Sequence, residues 1–215
     1  MKISIIHPSR SRSAIANKVR AEWLDKADGN IEYLFSLDFD DMQATQYDGK
    51  CIFNKNRSAI DAINRGAEHV EGDLFVVVSD DFSCPDHWDS LLIWALQGKS
   101  DYCVKTKDGL QPTLMTLPIM DRVYYERFGY VYYPEYYHLF CDQEMTVVAH
   151  YLGRVVNVDL LFPHNHHTTG KFKKDAISIK NDRSWSQGEN LFDKRKLHNF
   201  GIEDPICTYE SIKWR

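Results

Sequence analysis

Short apolar runs alternate with longer stretches in which apolar positions recur every three or four residues, so the chain reads as strands alternating with helices. Lys2–Ile6 predicts a first strand that breaks at His7-Pro8-Ser9-Arg10-Ser11-Arg12. Residues 13–26 then put Ile15, Val19 and Trp23 at helical spacing, with Ser13 as N-cap. A second strand, Ile31–Leu37, ends in Asp38, Asp40 and Asp41. After a loop through Tyr47–Gly49, residues 55–68 place Ala59, Ile60, Ile63 and Ala67 on one helical face. The run Leu74-Phe75-Val76-Val77-Val78 has no polar alternation, the mark of a strand buried on both faces, and it stops at Ser79-Asp80-Asp81. Pro85 and Trp88 turn the chain into a helix over 87–96. Strands over 101–105, 114–119 and 155–158 and helices over 121–128 and 142–152 follow, with an aromatic loop over 130–137. This order predicts an α/β domain whose central sheet is mixed but mostly parallel, with helices on its faces.

Composition narrows the class. With 43% hydrophobic residues in 215, the chain can bury one sizeable core, which excludes global disorder. A net charge of −5 argues against a broadly basic protein that coats nucleic acid, although the tail after Gly170 is rich in lysine. No apolar run is long enough to cross a bilayer, and the N-terminus lacks the hydrophobic region of a signal peptide. The five cysteines are scattered and never form CxxC, so reduced thiols and a cytoplasmic location are expected, not a disulfide framework or a zinc ribbon.

The acid pair at the end of the buried strand carries the most chemistry. In open α/β sheets ligands bind beyond the carboxyl ends of the strands. Paired carboxylates there suit Mg²⁺ or Mn²⁺ shared with substrate phosphates. An acidic turn is the plain alternative.

The motifs in their order resemble the family 2 glycosyltransferases of the GT-A fold over roughly residues 1–167. His7-Pro8-Ser9-Arg10-Ser11-Arg12 resembles the family's opening nucleotide turn, and Asp38 its base-contacting acid, with Asp40 and Asp41 close by. Asn54 to Ala59, with Arg57, and Asn64-Arg65-Gly66-Ala67 resemble the helix with an early arginine and a later turn. Ser79-Asp80-Asp81 is similar to the variable DxD signature. Cys141-Asp142-Gln143-Glu144-Met145 is similar to the family's E-D-x-D-L segment, with Cys141 in place of the first acid and Glu144 in place of the third. Val158 to His167 resembles the strand and histidine segment that can supply a metal ligand.

The resemblance implies a nucleotide-sugar site made by Pro8, Ser9, Arg10, Arg12, Asp38, Arg57, Ser79 and Asp80, with Asp80 on the ribose. It implies a metal, Mn²⁺ or Mg²⁺, on Asp81 with His164 or, less favoured, His166 or His167, and Asp142 as catalytic base. The implied activity is inverting, metal-dependent transfer of a sugar from a nucleotide sugar, a UDP-sugar above all, to an acceptor hydroxyl of a glycan or of a modified base in nucleic acid. It further implies a catalytic domain over 1–170, split near residue 100 into donor and acceptor halves. Residues 171–215 form an extension whose Lys171, Lys173 and Lys174 could close as a lid.

Each residue also has a plainer reading. Asp142 can serve as a first-turn helix acid, the arginines and lysines as solvated surface, and most of the aromatic loop as core. Two other functions compete: a nucleotidyltransferase, disfavoured because Pro8–Arg12 has no glycine, and a binding module without catalysis, favoured only by Cys141.

Overall fold

The computed structural model describes residues 1–165 and 184–212. Strands β1 (Ile3–Ser9), β2 (Ile31–Asp38), β3 (Lys50–Asn54), β4 (Leu74–Val77), β5 (Cys103–Lys107), β6 (Ile119–Asp121) and β7 (Val155–Leu161) form one sheet in the order β3-β2-β1-β4-β6-β5-β7. β1 pairs in parallel with β2 and β4, β2 with β3, and β5 with β7; β6 runs antiparallel to both its neighbours. The mixed, mostly parallel sheet is therefore as expected.

Pleating sorts the side chains to the two faces. Ile3, Ile5, Leu74, Val76 and Val78 join a core with Trp23 of α1 (Ser13–Asp25) and Trp88 of α3 (Trp88–Leu96). Ile6, Leu34, Phe75 and Val77 face the other way, onto α2 (Ala59–Ala67), α4 (Arg122–Glu126), α5 (Cys141–Tyr151) and α6 (Trp185–Lys196). On the first face Trp23 stands edge-on to Trp88 at 5.1 Å and stacks on Phe162 at 5.5 Å. On the second, α2 lies so close to β1 that a Cβ on Gly66 would meet Ile6 Cγ2 at 2.4 Å.

Several expectations need correction. β1 does not break at His7 but runs to Ser9, because Pro8 and Ser9 keep the register with Ser36 and Leu37. Arg12, not Ser13, holds the N-cap position of α1, and the Ser13 hydroxyl bonds the side chains of Gln43 and Gln46. Ile15 is exposed and Ala16 is buried in its place. α2 starts at Ala59, capped by the Ser58 hydroxyl, which accepts from the Ile60 N–H. Gly66 sits inside that helix, not in a turn after it.

The 114–119 strand reduces to its last residue, where β6 begins. Two elements are absent from the sequence reading: β3, a short edge strand, and α6 in the tail. α6 has only Gly188 and Phe192 buried, so its apolar signal is too sparse for periodicity to reveal it. All five cysteines are free. Among the described residues, no helix is long and apolar enough to cross a membrane.

Candidate active site

β1 lies between β2 and β4, and the β1–β2 and β3–β4 connections run in opposite directions along the sheet, which opens a crevice at the carboxyl ends of β1 and β4. A cleft of about 670 Å³ occupies that place. Pro8, Ser9, Arg10, Arg12, Asp38, Arg57, Ser79, Asp80, Asp81, Asp142 and His164 all line it. His166, His167, Lys171, Lys173, Lys174 and Trp214 lie outside the described residues.

On the strand-end wall the polar groups are already engaged. His7, fully buried, links the Tyr33 hydroxyl at 2.7 Å on Nδ1 to Asp80 Oδ1 at 2.9 Å on Nε2. Burial and the nearby Asp80 carboxylate push the Tyr33 phenol well up, so it stays protonated. Ser9 Oγ donates to Asp80 Oδ1 at 3.2 Å, and Arg12 Nη1 lies 3.3 Å from Oδ2. A carboxylate has about four acceptor positions, so Asp80 keeps room for one more donor.

The structure also separates the three acids after β2. Asp38 lines the cleft, held by Asn56 Nδ2 at 2.8 Å and by Arg10. Asp40 completes the clasp on Arg10, whose two hydrogen-bonded carboxylates hold its guanidinium above the ordinary range. Asp41 turns inward to accept from the backbone N–H groups of Ser11 and Gln43. Arg57 lines the cleft, yet its fork is spent on Asp61 and on the Pro134 carbonyl, which ties α2 to the aromatic loop.

Asp81 behaves differently from Asp80. Ser79 Oγ donates to its Oδ1 at 2.6 Å, and His164 Nε2 lies 3.2 Å from its Oδ2. The His164 segment is docked on the acid turn: Asn165 N–H donates to the Asp81 carbonyl at 2.7 Å, and Phe82 stacks on the His164 ring at 4.2 Å. Burial lowers the His164 pKa, but Asp108 and Asp81 outweigh it and push it up to about 9. The pair of carboxylates thus favours a positive charge at this point.

The facing wall begins at α5. Phe140, in the N-cap position, has φ 72°, a left-handed conformation costly for a bulky residue. Trp185 at 5.1 Å and Phe192 at 5.9 Å, both from α6, hold its ring. Asp142 follows in the first helical turn, where its Oδ1 accepts from the Gln143 N–H at 2.9 Å. Burial raises its pKa above the carboxylate norm, with the backbone N–H groups and His164 opposing.

Glu144 points away from the cleft. It is buried, paired with Arg195 of α6 at 2.8 Å, and accepts from the Tyr136 hydroxyl at 2.8 Å. Tyr124 and Tyr125 of α4 and Tyr132 and Tyr136 of the aromatic loop are buried, and Tyr132, Tyr137 and the following His138 line the cleft.

Sequence reasoning gave Asn56 and Asn64 only as parts of motifs, with no role of their own, and missed Asp108. Asn64 braces the aromatic loop, accepting from the N–H of Val131 and Tyr132 and donating to the Tyr132 carbonyl. Asp108 follows β5, and Asp108-Gly109 reads as a turn; its place at a strand end was the available signal.

No protein-family model matches the sequence, and no curated protein matches it. Solved structures do. A mannosyltransferase from Pyrobaculum calidifontis, in complex with GDP-Man and Mn²⁺, matches with TM-score 0.59 and 12% identity over 76% of this chain and 56% of that one. TarS (residues 1–349) from S. aureus, in complex with UDP, matches with TM-score 0.59 and 17% identity over 75% of this chain and 59% of that one. Glucosyl-3-phosphoglycerate synthase from Mycobacterium tuberculosis, with Mn²⁺ and UDP, matches with TM-score 0.59 and 15% identity over 94% of this chain and 81% of that one. The chain has the GT-A fold of these enzymes, and it spans little more than half the length of the first two.

Proposed function

We propose that this chain is an inverting glycosyltransferase that moves a sugar from a nucleotide sugar to an acceptor hydroxyl. The observation that carries the reading is the meeting, in one cleft, of the Asp81–His164 pair and of Asp142 with its raised pKa. The solved relatives that carry UDP or GDP-Man with Mn²⁺ support a nucleotide-sugar donor, with a UDP-sugar as first choice.

The donor set fits a divalent cation of the shared kind. Asp81 Oδ2 and His164 Nε2, 3.2 Å apart, would hold such a cation, which is of the kind usually shared with substrate phosphates. Imidazole tilts the choice from Mg²⁺ toward Mn²⁺. When bound, such a cation supplies positive charge for the departing diphosphate.

The chain's own groups do the rest. Arg12, braced by Asp80, offers a guanidinium fork to phosphate oxygens. Asp38, fixed by Asn56 and Arg10, presents acceptor oxygens to the base, and Asp80 uses its remaining position for a ribose hydroxyl. Asp142 accepts the proton of the acceptor hydroxyl as that oxygen attacks the anomeric carbon opposite the leaving diphosphate. Its raised pKa brings it nearer to the working pH of a base. Tyr132, Tyr137 and His138 offer the acceptor aromatic faces, which suit a sugar ring or a nucleobase alike.

The test is donor turnover read by NMR. UDP-glucose, UDP-GlcNAc and GDP-mannose, all α-linked, are incubated with the protein and Mn²⁺, and the first released or transferred sugar is examined. The β-anomer from one donor, absent with Asp142→Asn, is expected. Release of the α-anomer would refute inversion, and no release from any nucleotide sugar, with water or with an added panel of glycan and nucleobase hydroxyl acceptors, would refute the transferase reading.

A further inference from the structure

The end of β5 carries a buried carboxylate that the donor-site reading leaves without a task. Asp108 is 3% exposed. Its Oδ1 accepts from the N–H groups of Leu110 and Gln111, both at 2.7 Å, and its Oδ2 accepts from the Thr116 hydroxyl at 2.6 Å. Its backbone carbonyl accepts from the His164 N–H at 2.9 Å. Because β5 and β7 are parallel, Asp108 and His164 leave the sheet at the same end and are tied there.

Side chain meets side chain as well. His164 Nδ1 lies 3.9 Å from Asp108 Oδ2, while Nε2 of the same ring lies 3.2 Å from Asp81 Oδ2. Phe82 covers one ring face, 15° from parallel. The imidazole thus has a buried carboxylate at one nitrogen, a cleft carboxylate at the other, and an aromatic wall beside it. Bracing the loop over 108–116 needs only hydrogen-bond acceptors, which an amide oxygen would provide. It does not require a full charge aimed at the imidazole.

We infer that Asp108 is a positioning residue that holds the Nδ1 side of His164, so that Nε2 presents its lone pair beside Asp81 to the divalent cation of the donor site. The inference rests on the donor-site reading above and adds to it a carboxylate acting through the histidine. Carboxylate partners of this kind fix a ligating histidine's tautomer and ring orientation and raise its basicity. A shift of about 1 Å takes the pair from ion-pair contact to hydrogen-bond distance.

The experiment is a double-mutant cycle on Mn²⁺ affinity. Free Mn²⁺ is read by electron paramagnetic resonance at saturating UDP or GDP, whichever raises the wild-type melting temperature more. Asp108→Asn keeps the acceptor for the loop and removes the charge. It is expected to weaken Mn²⁺ about 10- to 100-fold while nucleotide affinity at saturating Mn²⁺ stays unchanged. In a His164→Ala background the same change is expected to add nothing, because the carboxylate acts only through the ring.

A purely structural role predicts the opposite, an effect that persists in full without His164. That result, or wild-type Mn²⁺ affinity in Asp108→Asn, overturns the inference. If Asp108→Asn does not fold, Thr116→Val loosens the same carboxylate and is expected to weaken Mn²⁺ by a few fold; unchanged affinity there overturns the inference equally. Wild type that binds no Mn²⁺ with either nucleotide refutes the donor-site reading itself, an outcome distinct from the others.

Discussion

The two walls of the cleft are built in different ways. The strand-end wall is tied together before any ligand arrives: Tyr33, His7, Asp80 and Arg12 form one chain of contacts, and Arg10, Asp38 and Asn56 form another. Tyr33, His7 and Asp38 sit on β1 and β2, and Asp80, Arg10, Arg12 and Asn56 sit in the turns that leave the strand ends, so strand register sets where these groups meet. The facing wall hangs on a loop and on the first turn of α5, and its shape depends on a helix more than forty positions later, α6. A preformed wall suits a ligand that is always the same, as the proposed nucleotide diphosphate would be. A wall held from a distance can change with the acceptor while the donor wall stays intact.

The comparison breaks most severely at Asp142. Asp142→Asn should lower kcat about 10²- to 10⁴-fold, the usual worth of a general base, with donor affinity kept. The same change should raise the melting temperature at neutral pH. The Asp142 pKa lies above that of an unfolded chain, so its stabilising contribution is complete in acid and is lost as pH rises through the folded value. Wherever the buried group is ionised it therefore costs stability that an amide does not. Wild-type activity should also fall, on acidification, at a higher pH than an ordinary aspartate would give. Thermal melts and a kcat–pH profile check both signs.

The next largest effect should come from Arg195→Ala. It removes the cation from a buried pair and leaves Glu144 alone with Tyr136, at a cost of about 3 kcal/mol in urea unfolding. Gly188→Ala strikes the same contact more gently. Its Cβ would meet the Leu139 carbonyl oxygen at 2.5 Å and push the loop that leads to Asp142. A loss of about 1–3 kcal/mol is expected, with kcat reduced and UDP binding preserved. If Gly188→Ala weakened UDP and left kcat alone, the division between the walls would be wrong. The smallest effect, about 1 kcal/mol, belongs to Ser58→Ala, which removes the cap of α2.

Legibility follows the same division. Strands β1, β2 and β4 were readable because burial on both faces leaves near-continuous apolar runs, and the strand ends pointed to the residues that line the cleft. Asp81, Asp142 and His164, far apart in sequence, line one cleft. What stayed hidden depends on contacts that spacing does not encode. Arg57 lines the cleft as expected, and its bonds to Asp61 and to the Pro134 carbonyl, which staple α2 to the aromatic loop, were not legible. Asp108 looks like a turn residue, which it is, and it also faces His164. α6 buries two residues and works through one arginine, one glycine and two aromatic rings, which leaves almost no periodic trace.

The central claim is that Asp81 and His164 form a metal-dependent nucleotide-diphosphate site to which Asp142 does not contribute. The most direct measurement is a thermal-shift panel of UDP, GDP, CDP and dTDP with Mn²⁺, Mg²⁺ or EDTA on wild type, Asp81→Ala and Asp142→Asn, since a ligand of the folded state must raise the melting temperature. The account predicts a shift with one nucleotide that needs the metal, disappears in Asp81→Ala and survives in Asp142→Asn. No shift with any nucleotide, or an equal shift in Asp81→Ala, would contradict it.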